Sequence, residues 1–312
     1  MIDATPSARD STSPTEAQVQ PGARALAALK ALTENRLDDA RTNVEEMPGH
    51  DPSDRAWKAL LSGQIALAEG DLRTAESDLQ TAAALALDYG LRDSAVAPKM
   101  FRLAARALNA LGRTHRRRER LGGAARAHRA AYHLRAEYGS EDERWESAMD
   151  AGLDHHLARQ PESAAEWLRR SLEHARRAVE EPLRKQALAL GELCATLRTM
   201  ERLDDAVAAA RSARSLWREC DPGCRDGFRA ELRVGHALLV QAQAQLDSNP
   251  EQARAHLEES IHCLAAARDE LAAFGPEVLS DLRSCEDQLD FAGRLRASLD
   301  EVHTKESGTR RA

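Results

Sequence analysis

Aromatic side chains make up only 4% of this 312-residue chain. Sandwiches and barrels draw their cores from aromatic and β-branched residues in alternation. The shortage, with no strong alternating run, suits closely packed helices and suits a sheet poorly. No apolar run reaches about 18 residues, the least a membrane-crossing helix needs. The amino terminus has no apolar h-region, so no secretory signal is expected either. Lysine is scarce as well: Lys30, Lys58, Lys99, Lys185 and Lys305 are all there are. Arginine therefore supplies most of the 44 basic residues, against 51 acidic ones. The resulting net charge of −7 speaks against a general nucleic-acid coat. Five scattered cysteines, an odd number, make no disulfide framework; they are expected as reduced thiols in a cytoplasm. A Gly-rich phosphate loop, a nucleophile elbow and an HExxH pair are all missing. No catalytic residue, no cofactor and no metal is expected.

What the chain does have is alanine and leucine at helical spacing. The stretch from Ala59 to Ala86 reads as two helices joined at Gly70-Asp71. Gly63 and Ala66 share one face of the first helix; Ala75, Leu79 and Ala82 share one face of the second. Small residues let two helix backbones approach, and Leu79 fills the space between. Gly70 suits a left-handed C-cap and Asp71 an N-cap. This pattern resembles the tetratricopeptide repeat (TPR), which has a small residue in mid first helix and two alanines flanking a large apolar residue in the second. Gly63, Ala75, Leu79 and Ala82 match it, while Ala59 and Ala66 replace the family's aromatic and tyrosine.

The layout returns along the chain. Aligned on the small residue of each second helix, the repeats mark Ala40, Ala75, Ala127, Ala164, Ala206 and Ala253. The uneven intervals predict an irregular array. Residues 1–21, rich in Ser, Thr and Pro, read as a disordered leader. Residues 22–302 form the repeat domain and 303–312 a flexible tail. Gly122-Gly123 is expected to break a helix of about Lys99 to Arg120, and DYGLRDSAVAP to form a linker. Ser140 and Glu143 form a capping box. The last helix, about Glu277 to Glu301, would cover the apolar end of the array. The expected fold is an all-α, right-handed superhelical solenoid of about six antiparallel helix pairs with a C-terminal capping helix.

In this resemblance the first helices line the ligand-binding concave surface. Counting from the small position, the inward-facing candidates are Gln64, Asn109, Arg113, Arg116, Arg120, Glu146, Asp150, His156, Glu192 and Arg198. Arg113, Arg116 and Arg120 recur on one helix face and form the basic side of a groove; Glu146 and Asp150 form the acidic side. The alternative is a solvated helix face neutralised by neighbouring acids. The resemblance also includes a clamp for chaperone C-terminal carboxylates. That clamp needs lysines and asparagines where this chain has Ala25, Leu29, Leu60 and Leu61, so that activity is not expected. The arginine run from Arg113 to Arg120 lacks the interleaved aromatics of a nucleic-acid platform. Cys220 and Cys224 flank a turn with no second ligand pair, so they read as two thiols.

These features point to a non-enzymatic scaffold or adaptor that binds a partner protein or peptide in its groove. Two alternatives stand beside it: a regulatory or inhibitory subunit of a bacterial enzyme complex, and a peptide or small-ligand sensor. Self-association through the solenoid ends is a further expectation.

Overall fold

The computed structural model describes residues 22–309, with side chains through residue 300. The leader over 1–21 lies outside them. The described residues form thirteen α-helices and two short 3-10 turns, with no strand among them. The first six helices are α1 (Ala23–Thr33), α2 (Leu37–Glu45), α3 (Pro52–Glu69), α4 (Leu72–Arg92), α5 (Ala97–Arg117) and α6 (Leu121–Tyr138). They are followed by α7 (Glu141–Leu157), α8 (Pro161–Ala175), α9 (Pro182–Thr199), α10 (Leu203–Cys220), α11 (Arg225–Gln245), α12 (Pro250–Leu271) and α13 (Leu279–Thr309). These make six hairpin pairs and a final helix. The last helix runs on to Thr309, past Glu301, where the sequence pattern ends it.

The described residues fall into two compact units, divided within α7 between Ser147 and Ala148. In the first, α1/α2, α3/α4 and α5/α6 are hairpins, and α2 packs on α3 and α4 on α5. In the second, α8 packs on α9, α10 on α11 and α12 on α13, around the hairpins α9/α10 and α11/α12.

Alanine does in this core what aromatics do elsewhere. Ala40, Ala75, Ala124, Ala164 and Ala206 are fully buried, and close helix approach replaces bulk. A Cβ placed on Gly63 would lie 2.7 Å from Leu79 Cγ, and one on Gly152 would lie 2.7 Å from Leu168 Cγ. The backbones therefore meet where the sequence pairs a small residue with a leucine.

The helix ends follow their side chains. Gly70 adopts φ 86° at the end of α3, and Asp71 caps α4 by accepting from the Arg73 and Thr74 amides. In the predicted capping box, the Glu143 amide donates to Ser140 Oγ at 3.2 Å and the Ser140 amide to Glu143 Oε2 at 3.0 Å.

Two expectations are corrected. Gly122 and Gly123 do not break a helix; they lie in the first turn of α6, where amides need no intrahelical acceptor. The break is at Glu119, whose φ is 59°. The segment expected as a linker is helical through Arg92, leaving a short turn before α5.

The same geometry fixes the repeat register. Asn35, Gly70, Glu119, Arg159 and Glu201 all adopt positive φ, and each stands five residues ahead of a fully buried alanine. The alanine of the third pair is thus Ala124, not Ala127. The sixth pair turns differently, without a left-handed residue, and Asn249 caps α12 by accepting from the Gln252 amide at 3.2 Å.

Candidate functional site

The arginines of the third pair are used inside the first unit. Arg113 on α5 pairs with Glu146 on α7, so a residue expected on the basic side of a groove neutralises one expected on the acidic side. Glu146 also takes Arg135 Nη1 at 2.9 Å. Arg135 is almost wholly buried and donates further to the Glu143 carbonyl and to Ser147 Oγ, at 2.9 and 2.8 Å.

Arg120 does not share a helix face with Arg113 and Arg116, because α5 ends at Arg117 and Arg120 caps α6. Its guanidinium reaches Glu76 on α4 at 2.6 and 3.0 Å, where Arg118 also pairs. Burial pushes the Glu76 carboxyl up, but its hydrogen bonds to Arg120 and the Arg120 and Arg118 charges hold it below its ordinary value. Arg117 donates to the Leu67 carbonyl at 2.6 Å, and Arg116 is half-buried on α5. Asn109 is buried and accepts from Ser147 Oγ at 3.3 Å. Burial removes Asn109 from any accessible lining. Gln64 stays half-buried on α3, beside the close approach at Gly63.

In the second unit Asp150 is buried on α7. His156, near the end of that helix, places Nδ1 3.1 Å from Thr196 Oγ1 on α9. The Thr196 hydroxyl donates to the Glu192 carbonyl at 3.0 Å, so His156 Nδ1 carries a hydrogen and donates to Thr196 Oγ1. His156, Leu157, Arg159, Pro161 and Thr199 line a cleft of about 440 Å³.

Glu192 pairs with Arg233 on α11 at 2.6 Å. Arg198, further along α9, is half-buried, and its Nε is shut off from solvent with no hydrogen-bond partner. Burial, and then the Arg233 charge, lower its affinity for its proton. Burial, followed by the Arg198 charge, depresses the pKa of His236 on α11 to about 4, so the ring is neutral. Sequence reasoning found Glu192 and Arg198 but missed Arg233 and His236. The available signal was Gly191, a helical glycine whose missing side chain makes room for the Arg233 guanidinium.

The thiols of Cys220 and Cys224 are raised, first by burial and also by the Asp221 charge. Cys224 Sγ accepts from the Gly227 amide at 3.2 Å as the cap of α11. Among the described residues no three His, Cys, Asp or Glu side chains gather into a metal-binding group. No helix among them is long and apolar enough to cross a membrane.

No family model matches the chain, and no curated protein matches its sequence. Solved structures match its fold. The apo form of RapI aligns with a TM-score of 0.65 at 11% identity, covering 88% of this chain and 71% of RapI. BtubC (BKLC) from P. vanneervenii aligns with a TM-score of 0.58 at 20% identity, over 81% and 93% of the two chains. A putative kinesin light chain from Podosopora anserina, described by its nearly identical TPR-like repeats, aligns with a TM-score of 0.52 at 14% identity, over 70% and 98%. The fold is that of an all-α helical-repeat protein. It is of the TPR type, as the small-residue pattern around Gly63 and Leu79 implies.

Proposed function

We propose that the chain is a non-enzymatic adaptor or scaffold that binds a protein or peptide segment on the exposed faces of its first helices. The carrying observation is the division of labour between helices. The buried small residues serve helix packing, while Gln64, His156, Glu192 and Arg198 stand half-buried on α3, α7 and α9. Within each unit, polar groups preorganised on rigid helices lose little entropy when a segment docks. Arg113, Arg120 and Glu146 contribute through the ion pairs that hold α4, α5 and α7 in place, and Asn109 and Asp150 from within the core. The free, buried Cys194, Cys263 and Cys285 support work in a reducing compartment such as the cytoplasm.

Tagged capture from the native host, followed by hydrogen exchange on the purified complex, tests the reading. New protection on α3, α7 and α9 is the expected result; protection confined to the second helices of the pairs refutes it. A second reading, a small-ligand or peptide sensor, is favoured by the cleft beside His156. It predicts a thermal shift with a small molecule and no stoichiometric protein partner.

A further inference from the structure

Three of the five cysteines, Cys194, Cys263 and Cys285, are buried in the second unit, whereas Cys220 is exposed and Cys224 half-buried. The accessible two share one turn. Cys220 is the last residue of α10, and Cys224 caps α11. Between them lie Asp221, Pro222 and Gly223. The proline ring fixes its own φ, and Gly223 takes φ 88°, a conformation that side chains avoid. The Cys224 amide donates to the Asp221 carbonyl at 3.3 Å and closes the turn. The chain is thus folded back between the two thiols, near enough for a charge on Cys224 to act on Cys220.

The two sulfurs have different surroundings. Cys220 is open to solvent, and the Arg184 charge favours its thiolate. Cys224 lines a cleft of about 270 Å³ with Arg184, Trp217 and Phe274, and its Sγ accepts from the Gly227 amide at 3.2 Å, which also favours a thiolate. Burial outweighs these effects and keeps both as neutral thiols. Neutral thiols are slow nucleophiles, so the pair resists casual oxidation. The equilibrium runs the other way. A dithiol whose thiolates are stabilised makes an easily reduced disulfide, and one held neutral keeps its disulfide once formed.

We propose that Cys220 and Cys224 are a reversible disulfide site, closed by exchange with a low-molecular-weight disulfide. The Cys220 thiolate attacks one sulfur of that molecule. A mixed disulfide forms, and a small thiolate leaves and takes a proton in place of the one Cys220 lost to solvent. The Cys224 thiolate then attacks Cys220 Sγ. The internal bond forms, and the second small thiolate leaves and is protonated in turn. Two cysteine thiols are oxidised, and one small disulfide is reduced to two thiols. The new bond ties the end of α10 to the start of α11, beside the cleft that Cys224 lines. The site stands apart from the adaptor reading and does not depend on it.

The test equilibrates the full chain in glutathione buffers of stepped oxidised-to-reduced ratio and blocks the remaining thiols with N-ethylmaleimide. Intact mass is then read, together with the tryptic peptide from Glu219 to Arg225, which carries both cysteines. The expected product lacks two hydrogens, lost from that peptide. The folded chain should close at a ratio about tenfold lower than the same chain in urea, because the turn already holds the sulfurs together. Cys220→Ser and Cys224→Ser should each keep a glutathione adduct that the wild type resolves. A stable adduct on the wild type with no internal bond overturns the site. So does oxidation of Cys194, Cys263 or Cys285 ahead of this pair, or no oxidation at any ratio. Equal closure in the folded and the urea-unfolded chain overturns it as well, since the fold would then build nothing at the turn.

Discussion

The His128 ring lies flat against the backbone of Gly112, where a leucine stands against Gly63 and Gly152 in other pairs. It is fully buried, and its Nε2 lies 3.1 Å from the Asn109 carbonyl, so that nitrogen carries the hydrogen. A methyl group at position 112 has nowhere to go. Gly112→Ala should destabilise the first unit by about 1–3 kcal/mol through overpacking. His128→Leu, which restores the residue found in equivalent pairs, should cost less. Urea unfolding of the two variants beside wild type makes the comparison, and equal losses would contradict it.

Arg135 and Arg202 make opposite predictions from similar ion pairs. Arg135 meets Glu146 under cover of α5 and α7, whereas Arg202 meets Asp205 at the surface. Arg135→Ala removes buried hydrogen bonds to the Glu143 carbonyl and Ser147 but leaves Glu146 paired with Arg113, so it should cost about 1–3 kcal/mol. Arg202→Ala should cost no more than about 1 kcal/mol. Chemical denaturation midpoints read both, and a loss for Arg135→Ala no larger than that for Arg202→Ala would contradict the contrast.

The left-handed turn residues offer gains. Glu201 holds φ 58° in an exposed turn where Gly70 holds φ 86° in another pair. A side chain in that region carries a penalty of about 1–2 kcal/mol, partly offset by the freedom glycine adds to the unfolded chain. Glu201→Gly should therefore raise the melting temperature slightly, and Gly70→Ala should lower it. A fall in Glu201→Gly would mean that its side chain serves a contact the turn depends on.

The fold was legible where a signal sits inside one hairpin. Gly63 and Leu79, Gly70 and Asp71, and Ser140 and Glu143 are close enough in sequence for spacing to settle their relation. In the third pair the sequence pattern lies three residues from the structural register, because AARAHRAA offers alanine in several phases. Only the left-handed Glu119 and the burial of His128 fix its register. The site was less legible. Arg113 and Glu146 stand on different pairs, and charge periodicity along one helix says nothing about a partner on another. Arg198 could be chosen from its position on a first helix, but its lack of an acidic partner depends on where Glu192 turns, and Glu192 turns to Arg233.

His236 gives the pH dependence a sign. Its ordinary pKa of 6.5 falls to about 4 in the folded chain, first through burial and then through the Arg198 charge. Above the ordinary value both folded and unfolded states hold it neutral, and it contributes nothing to the slope. Between the two values the unfolded chain binds a proton that the folded chain refuses. Stability therefore falls as pH drops through that window and levels off below about 4. The loss is at most about 3 kcal/mol, and less for the part of the ring that solvent reaches. Arg198 is the one charged group that acts on the ring from the facing helix, so Arg198→Gln should lift the His236 pKa and narrow the window from below. Urea midpoints at about pH 5 and about pH 7, for wild type, Arg198→Gln and His236→Gln, separate this term from the carboxylates. The wild type should lose the most on acidification, His236→Gln the least, and Arg198→Gln should fall between. Identical losses in all three would place the acid sensitivity elsewhere in the chain.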